Sequence, residues 1–110
     1  MAAEPAADPF AALGDQNRRA ILQLLAERER QVSDIANQLP ISRPAVSRHL
    51  RVLRDAGLVV DRAEGTKRIY SVDDRGVEAM RTYMQEIWGA ATARFRLAAE
   101  NVSGSDADER

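Results

Sequence analysis

Apolar residues recur at helical intervals in the first half of this chain, and residues that favour helix caps stand where each helix would begin. The pattern predicts a short helix over residues 8–14, capped by Asp8. It predicts a second helix over residues 16–28, capped by Asp15, and a third that begins at Ser33. The N-terminal part of the chain is therefore expected to be helical.

The fourth predicted helix is the most informative segment, because its two faces differ in chemistry. Ser42 can cap its N-terminus, Pro44 is tolerated in its first turn, and Gly57 can adopt the left-handed conformation beyond its end. One face carries the aliphatic residues Ala45, Val46, Leu50, Val52, Leu53 and Ala56. The other face carries Arg43, Ser47, Arg51 and Arg54, with Arg48 and Asp55 at its edge. Together with the short break at residues 39–41, this spacing indicates a helix-turn-helix.

After Gly57 the pattern changes to the β-branched and aromatic residues that favour strands. Residues 58–62 and 68–72 predict two strands, joined by a loop over residues 63–67 that contains a turn glycine. An isolated hairpin is only marginally stable, so this one must pack against the helices. A helix-turn-helix followed by a basic hairpin predicts a winged helix-turn-helix, which is a mainly α fold with a small β-hairpin.

The last predicted helix runs from about Asp74 to Ala99 and has a long apolar stripe. A helix of this length would measure about 38 Å, more than the width of a domain of this size. Part of the stripe therefore requires a partner outside the domain's own core. We expect one domain over residues 8–100, flanked by a disordered N-terminus (1–7) and a disordered acidic tail (101–110).

Charge is distributed unevenly along the 110 residues, whose formal net charge is −1. Residues 42–70 contain seven basic and three acidic residues, which leaves an excess of five negative charges on the rest of the chain. A basic patch on an otherwise acidic chain is typical of a protein that reads nucleic acid. A solvated helix face with no partner would have the same composition.

Several function classes are excluded because the necessary residues are missing. The chain has no cysteine, which rules out disulfides, thiolate metal sites and thiol redox sensing. Its one histidine cannot form an imidazole cluster for a transition metal. No apolar run reaches the roughly 18 residues of a membrane span, and the start of the chain lacks the basic residues of a signal peptide, so we expect a cytoplasmic protein. We also expect no cofactor.

The polar face of the fourth helix suits the major groove of double-stranded DNA, because arginine and serine can bond to base edges or to phosphates. The residues nearest the helix N-terminus are the predicted base-reading set: Arg43, Pro44, Ser47 and Arg48. The predicted contacts to the DNA backbone are Ser42, Arg51, Arg54, Arg62, Lys67 and Arg68. Capping alone would explain Ser42, and the three hairpin cations could instead protect an edge strand from aggregation.

His49 is predicted to face inward with Val46 and Leu53, as a hydrogen-bonded residue at the edge of the core. Neither Ser47 nor Asp55 shares its side of the helix, because residues two or six apart point in different directions. A Ser-His-Asp arrangement therefore fails on geometry, and we expect no enzymatic activity.

Four segments, in order, resemble the ArsR/SmtB family of small dimeric bacterial transcription repressors. They are residues 12–22 (ALGDQNRRAIL), 42–50 (SRPAVSRHL), 53–59 (LRDAGLV) and 64–70 (EGTKRIY). The resemblance implies that the 42–56 helix enters the major groove and that the hairpin wing touches the flanking backbone or minor groove. It also implies a homodimer joined through its terminal helices, with an interface that we assign to Phe10, Leu13, Met80, Met84, Ile87, Trp88, Ala91 and Phe95.

One departure from the family pattern concerns metals. Metal-sensing members carry a cysteine motif before the turn, or histidine and acidic ligands on the last helix. Here residues 32–39 and the last helix contain neither cysteine nor histidine. The chain therefore resembles the non-metal, autorepressing branch, and we expect a homodimeric repressor that binds an inverted-repeat operator. Two alternatives stay open: a sensor of metal or a small molecule at the dimer interface, and a winged-helix module that binds another protein.

Overall fold

The computed structural model describes residues 8–106 and the side chains of residues 8–100. It is mainly helical, with one three-stranded antiparallel sheet. The chain divides into two compact units, Met1–Met80 and Arg81–Arg110. In chain order the elements are α1 (Pro9–Ala12), α2 (Gln16–Glu27), β1 (Arg30–Gln31), α3 (Val32–Gln38), α4 (Arg43–Asp55), β2 (Val59–Glu64), β3 (Lys67–Val72) and α5 (Asp74–Asp106).

Side-chain caps begin three of the helices where the sequence predicts them. Oxygens of Asp8, Asp15 and Ser42 accept hydrogen bonds of 2.8–3.2 Å from backbone N–H groups in the first turns of α1, α2 and α4. The prediction for α3 is wrong by one residue. This helix begins at Val32 directly after β1, and the residue that precedes it makes no side-chain cap.

The sheet differs from the predicted hairpin in two ways. A third strand, β1, pairs with β3 so that Arg30 lies opposite Tyr70 and Gln31 opposite Ile69. The strands β2 and β3 also extend further towards the turn than predicted, although β2 begins one residue later, and the five-residue loop is replaced by a two-residue turn, Gly65-Thr66. Gly65 has φ +65°, the conformation that such a tight hairpin turn requires.

The core of the first unit lies between α2, α3, α4 and the start of β2. Its fully buried side chains are Ile21, Ile35, Val46, Leu50, Leu53, Leu58 and Val59. Each such aliphatic side chain stabilises the fold by about 1.5–3 kcal/mol relative to an exposed one. Val52 is an exception to the predicted pattern, because it is 37% exposed although the sequence places it with the buried face of α4.

A buried arginine joins three elements of this unit. The guanidinium of Arg30 donates through Nε to the carbonyl oxygen of Leu24 at 3.0 Å. Its two terminal nitrogens donate to Glu27 Oε1 at 2.8 Å and to Asp34 Oδ2 at 3.2 Å. A buried charge is tolerated only when it is paired in this way, so Arg30 fixes the end of α2, strand β1 and the first turn of α3 relative to one another.

The long helix α5 starts as predicted but extends further. Its first turn lies directly against the end of α4, since a Cβ atom on Gly76 would overlap the carbonyl oxygen of Gly57. The predicted end at Ala99 is too early, because the helix continues through Asp106. Propagation adds one hydrogen bond for each residue fixed, so an established helix can continue through poor helix formers. Of the tail that the sequence predicts to be disordered, residues 101–106 continue the helix, whereas residues 107–110 and the N-terminal residues 1–7 lie outside the described part of the chain.

Candidate nucleic-acid interface

Helix α4 is fixed in the fold by its apolar face. Val46, Leu50 and Leu53 are completely buried against the rest of the core. The helix begins at the Ser42 cap and is followed by Gly57, which has φ +80°. Because the buried side is firmly packed, the opposite side of α4 is held rigidly towards solvent.

The outward side of α4 carries most of the predicted DNA-binding residues. Ser42, Arg43, Pro44, Arg48, Arg51 and Arg54 are exposed, and Ser47 is half-buried. Arg54 lies 3.7 Å from the carboxylate of Asp55. In contrast, Arg43, Arg48 and Arg51 contact no carboxylate within residues 8–100. Helix α4 therefore presents three arginines whose charge is not compensated inside the described part of the chain.

His49 lies on the inner side of α4, as predicted. It is half-buried, and its Nδ1 is 3.5 Å from Nη1 of Arg18. Arg18 is itself anchored by α1, since its Nε donates to the carbonyl oxygen of Ala12 at 2.6 Å. His49 thus belongs to the contact between α4 and the helices before it, and the structure places it at the edge of the core.

On the hairpin wing, two of the three predicted cations are already paired. Arg62 makes a two-point ion pair with Glu29, at 2.7 and 2.9 Å, and also lies 3.2 Å from Glu64. This pairing raises the pKa of Arg62 and lowers the pKa of the Glu29 carboxyl below its ordinary 4.5. Arg68 donates to Asp61 at 2.7 Å. The wing is therefore less cationic than its sequence suggests.

The position of the wing cations in the sheet also bears on the edge-strand alternative. The strand order is β1-β3-β2, so Arg62 lies on an edge strand while Lys67 and Arg68 lie on the central strand. Strand β1 pairs only with Ile69 and Tyr70, so Lys67 and Arg68 also lie on a stretch of β3 with one unpaired side, and protection of an edge stays open for all three cations. Lys67 has no ion pair with any residue whose side chain is described.

The predicted interface residues fall in both units and are described within each. In the first unit, Phe10 is 37% exposed, and Leu13 and Met80 are half-buried and pack against the core. In the second unit, the exposed apolar residues on one side of α5 are Met84, Ile87, Trp88, Ala91 and Phe95. Trp88, Ala91 and Phe95 line a shallow depression of about 330 Å³ on this helix.

Among the described residues, no group of three or more histidine, cysteine, aspartate or glutamate side chains could hold a metal ion. Within residues 8–106, no helix is long and apolar enough to cross a membrane.

A helix-turn-helix with a basic outward face and an adjoining β wing defines the class of winged helix-turn-helix DNA-binding proteins. The profile of bacterial regulatory proteins of the arsR family matches residues 15–60. The HTH-type transcriptional regulator Rv2034 of Mycobacterium tuberculosis is 49% identical over 84 residues, which are 76% of this chain and 78% of that relative. The chain belongs to the arsR family.

Two further comparisons agree with this assignment. The arsenical resistance operon repressor of Escherichia coli is 33% identical over 101 residues, covering 86% of each chain. The structure of an ArsR-like transcriptional regulator from Rhodococcus sp. RHA1 superposes with a TM-score of 0.70 and 31% identity, over 84% of this chain and 87% of that one. The protein is a DNA-binding transcriptional regulator and not an enzyme.

Proposed function

We propose that this protein is a homodimeric repressor that binds an inverted-repeat operator, including one at its own promoter. The observation that carries the proposal is the pair of opposite faces on α4. Three completely buried side chains fix one face, and the other face carries three arginines that have no carboxylate partner within residues 8–100. A rigid helix with uncompensated cations is suited to the DNA major groove.

The outward residues of α4 are assigned two roles, base reading near the start of the helix and phosphate contact further along. Arg43, Pro44, Ser47 and Arg48 lie in the first two turns, where an inserted helix reaches the base edges. Arginine can bond in a bidentate manner to guanine, and Pro44 offers an apolar surface to a thymine methyl group. Arg51 and Arg54 lie further along and are assigned to phosphates, with Ser42 as a cap whose hydroxyl also reaches the backbone.

The wing contributes less to this proposal than the sequence suggests. Lys67 is assigned a direct backbone contact, since its ammonium has no ion-pair partner in the described part of the chain. Arg62 and Arg68 can reach a phosphate only by leaving or sharing their carboxylate partners. Both arginines are about half exposed, so the cost of breaking these pairs is small and reduces their contribution to the affinity only modestly.

Dimerisation is supported by the apolar side of α5. Trp88 is 67% exposed and Phe95 76% exposed, and such large aromatic side chains are stabilised by burial against a partner. A twofold dimer would present two copies of α4 to successive major grooves, about 34–36 Å apart. Binding across a promoter would then repress transcription by occlusion, and the Escherichia coli relative is named as a repressor. We place this activity in the cytoplasm.

Duplexes that tile the DNA upstream of the protein's own gene provide the test, with a random duplex of equal length as the control. We expect one tile to bind about 10³-fold or more tightly than the random duplex at physiological salt. Equal affinity for every tile and for the control would contradict autoregulation through sequence-specific binding. Parallel titrations with Zn²⁺ test the sensor alternative, which predicts that the metal weakens binding to that tile.

A further inference from the structure

A groove lies between the first turn of α4, the start of α3 and the turn of the wing. Its volume is about 200 Å³. Three cationic residues line it, and these are Arg43, Lys67 and Arg68. The other lining residues are neutral, and these are Gln31, Val32, Ser33 and Thr66. Among the residues that the structure describes, no acidic side chain belongs to this lining.

The fold brings these residues together from three separate segments. Strand β1 pairs with β3 so that Gln31 lies opposite Ile69. This register places Lys67 and Arg68, at the beginning of β3, beside the segment that enters α3. The helix-turn-helix then brings Arg43, the first residue of α4, to the same groove. The cationic groove therefore depends on a strand that the sequence pattern does not reveal.

The groove has more positive charge than the described residues around it neutralise. Arg43 and Lys67 have no carboxylate partner within residues 8–100. Arg68 is bound to Asp61 through Nη1 only, at 2.7 Å, so its remaining guanidinium nitrogens can still donate. The lining residues carry an ammonium, two guanidinium groups and two hydroxyls, and Asp61 is the one carboxylate bound to any of them within residues 8–100. Their natural ligand is a phosphate oxyanion.

We propose that this groove binds one phosphodiester of the DNA backbone, between the major-groove helix and the wing. The inference rests on the proposed function and deepens it, because it assigns Gln31, Ser33 and Thr66 to the DNA interface and moves Arg43 from the base-reading set to the phosphate contacts. The groove adjoins the base-reading end of α4, so a duplex bound by that helix has backbone phosphates beside it. A free phosphate ion presents the same oxygens and is the other source of this chemistry.

The experiment introduces a negative charge into the groove from two different elements. Ser33→Asp changes the α3 side and Thr66→Glu changes the wing turn. Gln23→Glu adds the same charge on α2, outside the groove, and serves as the matched control. The affinity of the full-length chain for a random duplex is measured by fluorescence anisotropy at several salt concentrations, after thermal unfolding confirms that each variant is folded.

We expect each groove variant to lose about tenfold in affinity at low salt, and its salt slope to fall by about 0.9, the value of one phosphate contact. Gln23→Glu should change both quantities much less. Groove variants that match Gln23→Glu, while the unaltered protein binds, would overturn the groove assignment alone. Failure of the unaltered protein to bind any duplex would overturn the proposed function as well.

A titration with inorganic phosphate distinguishes the two sources of the ligand. We expect millimolar phosphate to shift the amide NMR resonances of Ser33 and Thr66 only weakly, because one isolated ion lacks the support of the neighbouring DNA contacts. Tight binding of inorganic phosphate, abolished by Ser33→Asp while the duplex affinity stays unchanged, would assign the groove to a free anion instead.

Discussion

Glu29 holds the wing arginine Arg62 in a two-point ion pair, with its carboxylate oxygens 2.7 and 2.9 Å from the two terminal guanidinium nitrogens. Both side chains are about half exposed, so the pair is accessible to competing phosphates. A guanidinium bound in this fork geometry has its best donors occupied by the protein itself. Glu29 therefore restrains the contribution of Arg62 to DNA binding.

This relationship predicts that Glu29→Gln strengthens binding to DNA. The substitution removes the two-point partner and leaves Arg62 with the single contact to Glu64 at 3.2 Å, so its other guanidinium donors can contact a phosphate, which should increase the magnitude of the salt slope by up to about 0.9. Glu86→Gln on the exposed surface of α5 removes the same charge elsewhere. Salt-dependent anisotropy with a random duplex compares the two variants. An equal effect of both would mean that only net charge matters and that the pair does not restrain Arg62.

Alanine substitutions of Arg48 and Arg51 are predicted to affect DNA binding differently, although the two residues are three positions apart on the same exposed face. Arg48→Ala should reduce operator affinity by about 5- to 150-fold while changing the affinity for random DNA little. Arg51→Ala should weaken both equally and reduce the salt slope by about 0.9. Competition titrations measure the ratio of the two affinities. An unchanged ratio in Arg48→Ala would contradict its assignment as a base-reading residue.

The apolar side of α5 is predicted to be the dimer interface. Trp88→Glu should shift the protein to monomer, because dimerisation would then bury an unpaired carboxylate. Leu97 is 61% exposed on the opposite side of the helix, so Leu97→Glu is the matched control. Sedimentation velocity over a range of concentrations distinguishes them. A dimer that survives Trp88→Glu, or that is lost equally in both variants, would contradict this interface.

Gly76 is predicted to be required for the close packing of the first turn of α5 against the backbone of Gly57. Alanine normally stabilises a helix relative to glycine by about 1 kcal/mol. At Gly76 the sign should reverse, to a loss of about 1–3 kcal/mol, because the new Cβ would overlap the Gly57 carbonyl oxygen. Gly89→Ala is the control, since nothing lies within 4 Å of its Cβ position, and it should leave the stability unchanged or raise it. Thermal unfolding measures the midpoint temperature of each variant. A shift of both midpoints in the same direction would contradict the close packing of Gly76 against Gly57.

The helices were largely predictable from the sequence because their signals are local. Asp15 and Ser42 mark their helix starts with cap side chains, and Gly57 marks an end. Strand β1 could not be predicted in this way, since Arg30 and Gln31 have no strand periodicity and are held in place by long-range pairing with β3. Buried aliphatics and their spacing are therefore sufficient for the helical part, but not for the third strand.

The candidate site was predictable on α4 and less so on the wing. On α4, the arginines and the buried aliphatics are separated by helical periodicity, so their exposure follows from the sequence. The partners of Arg62 and Arg68 depend on which carboxylates the folded sheet places nearby. Ser33 and Thr66 carry no charge, and although Thr66 belongs to the family-like segment 64–70, only the folded structure indicates that both lie beside Lys67.

The most direct test of the account is selection of binding sites from a random oligonucleotide pool by the unaltered full-length protein. Two copies of α4 related by a twofold axis predict an inverted repeat, with half-site centres about 10–10.5 base pairs apart or a multiple of that spacing. Enrichment of such a palindrome would establish sequence reading and twofold symmetry together. An asymmetric single site, or a pool with no enriched sequence, would contradict the central claim.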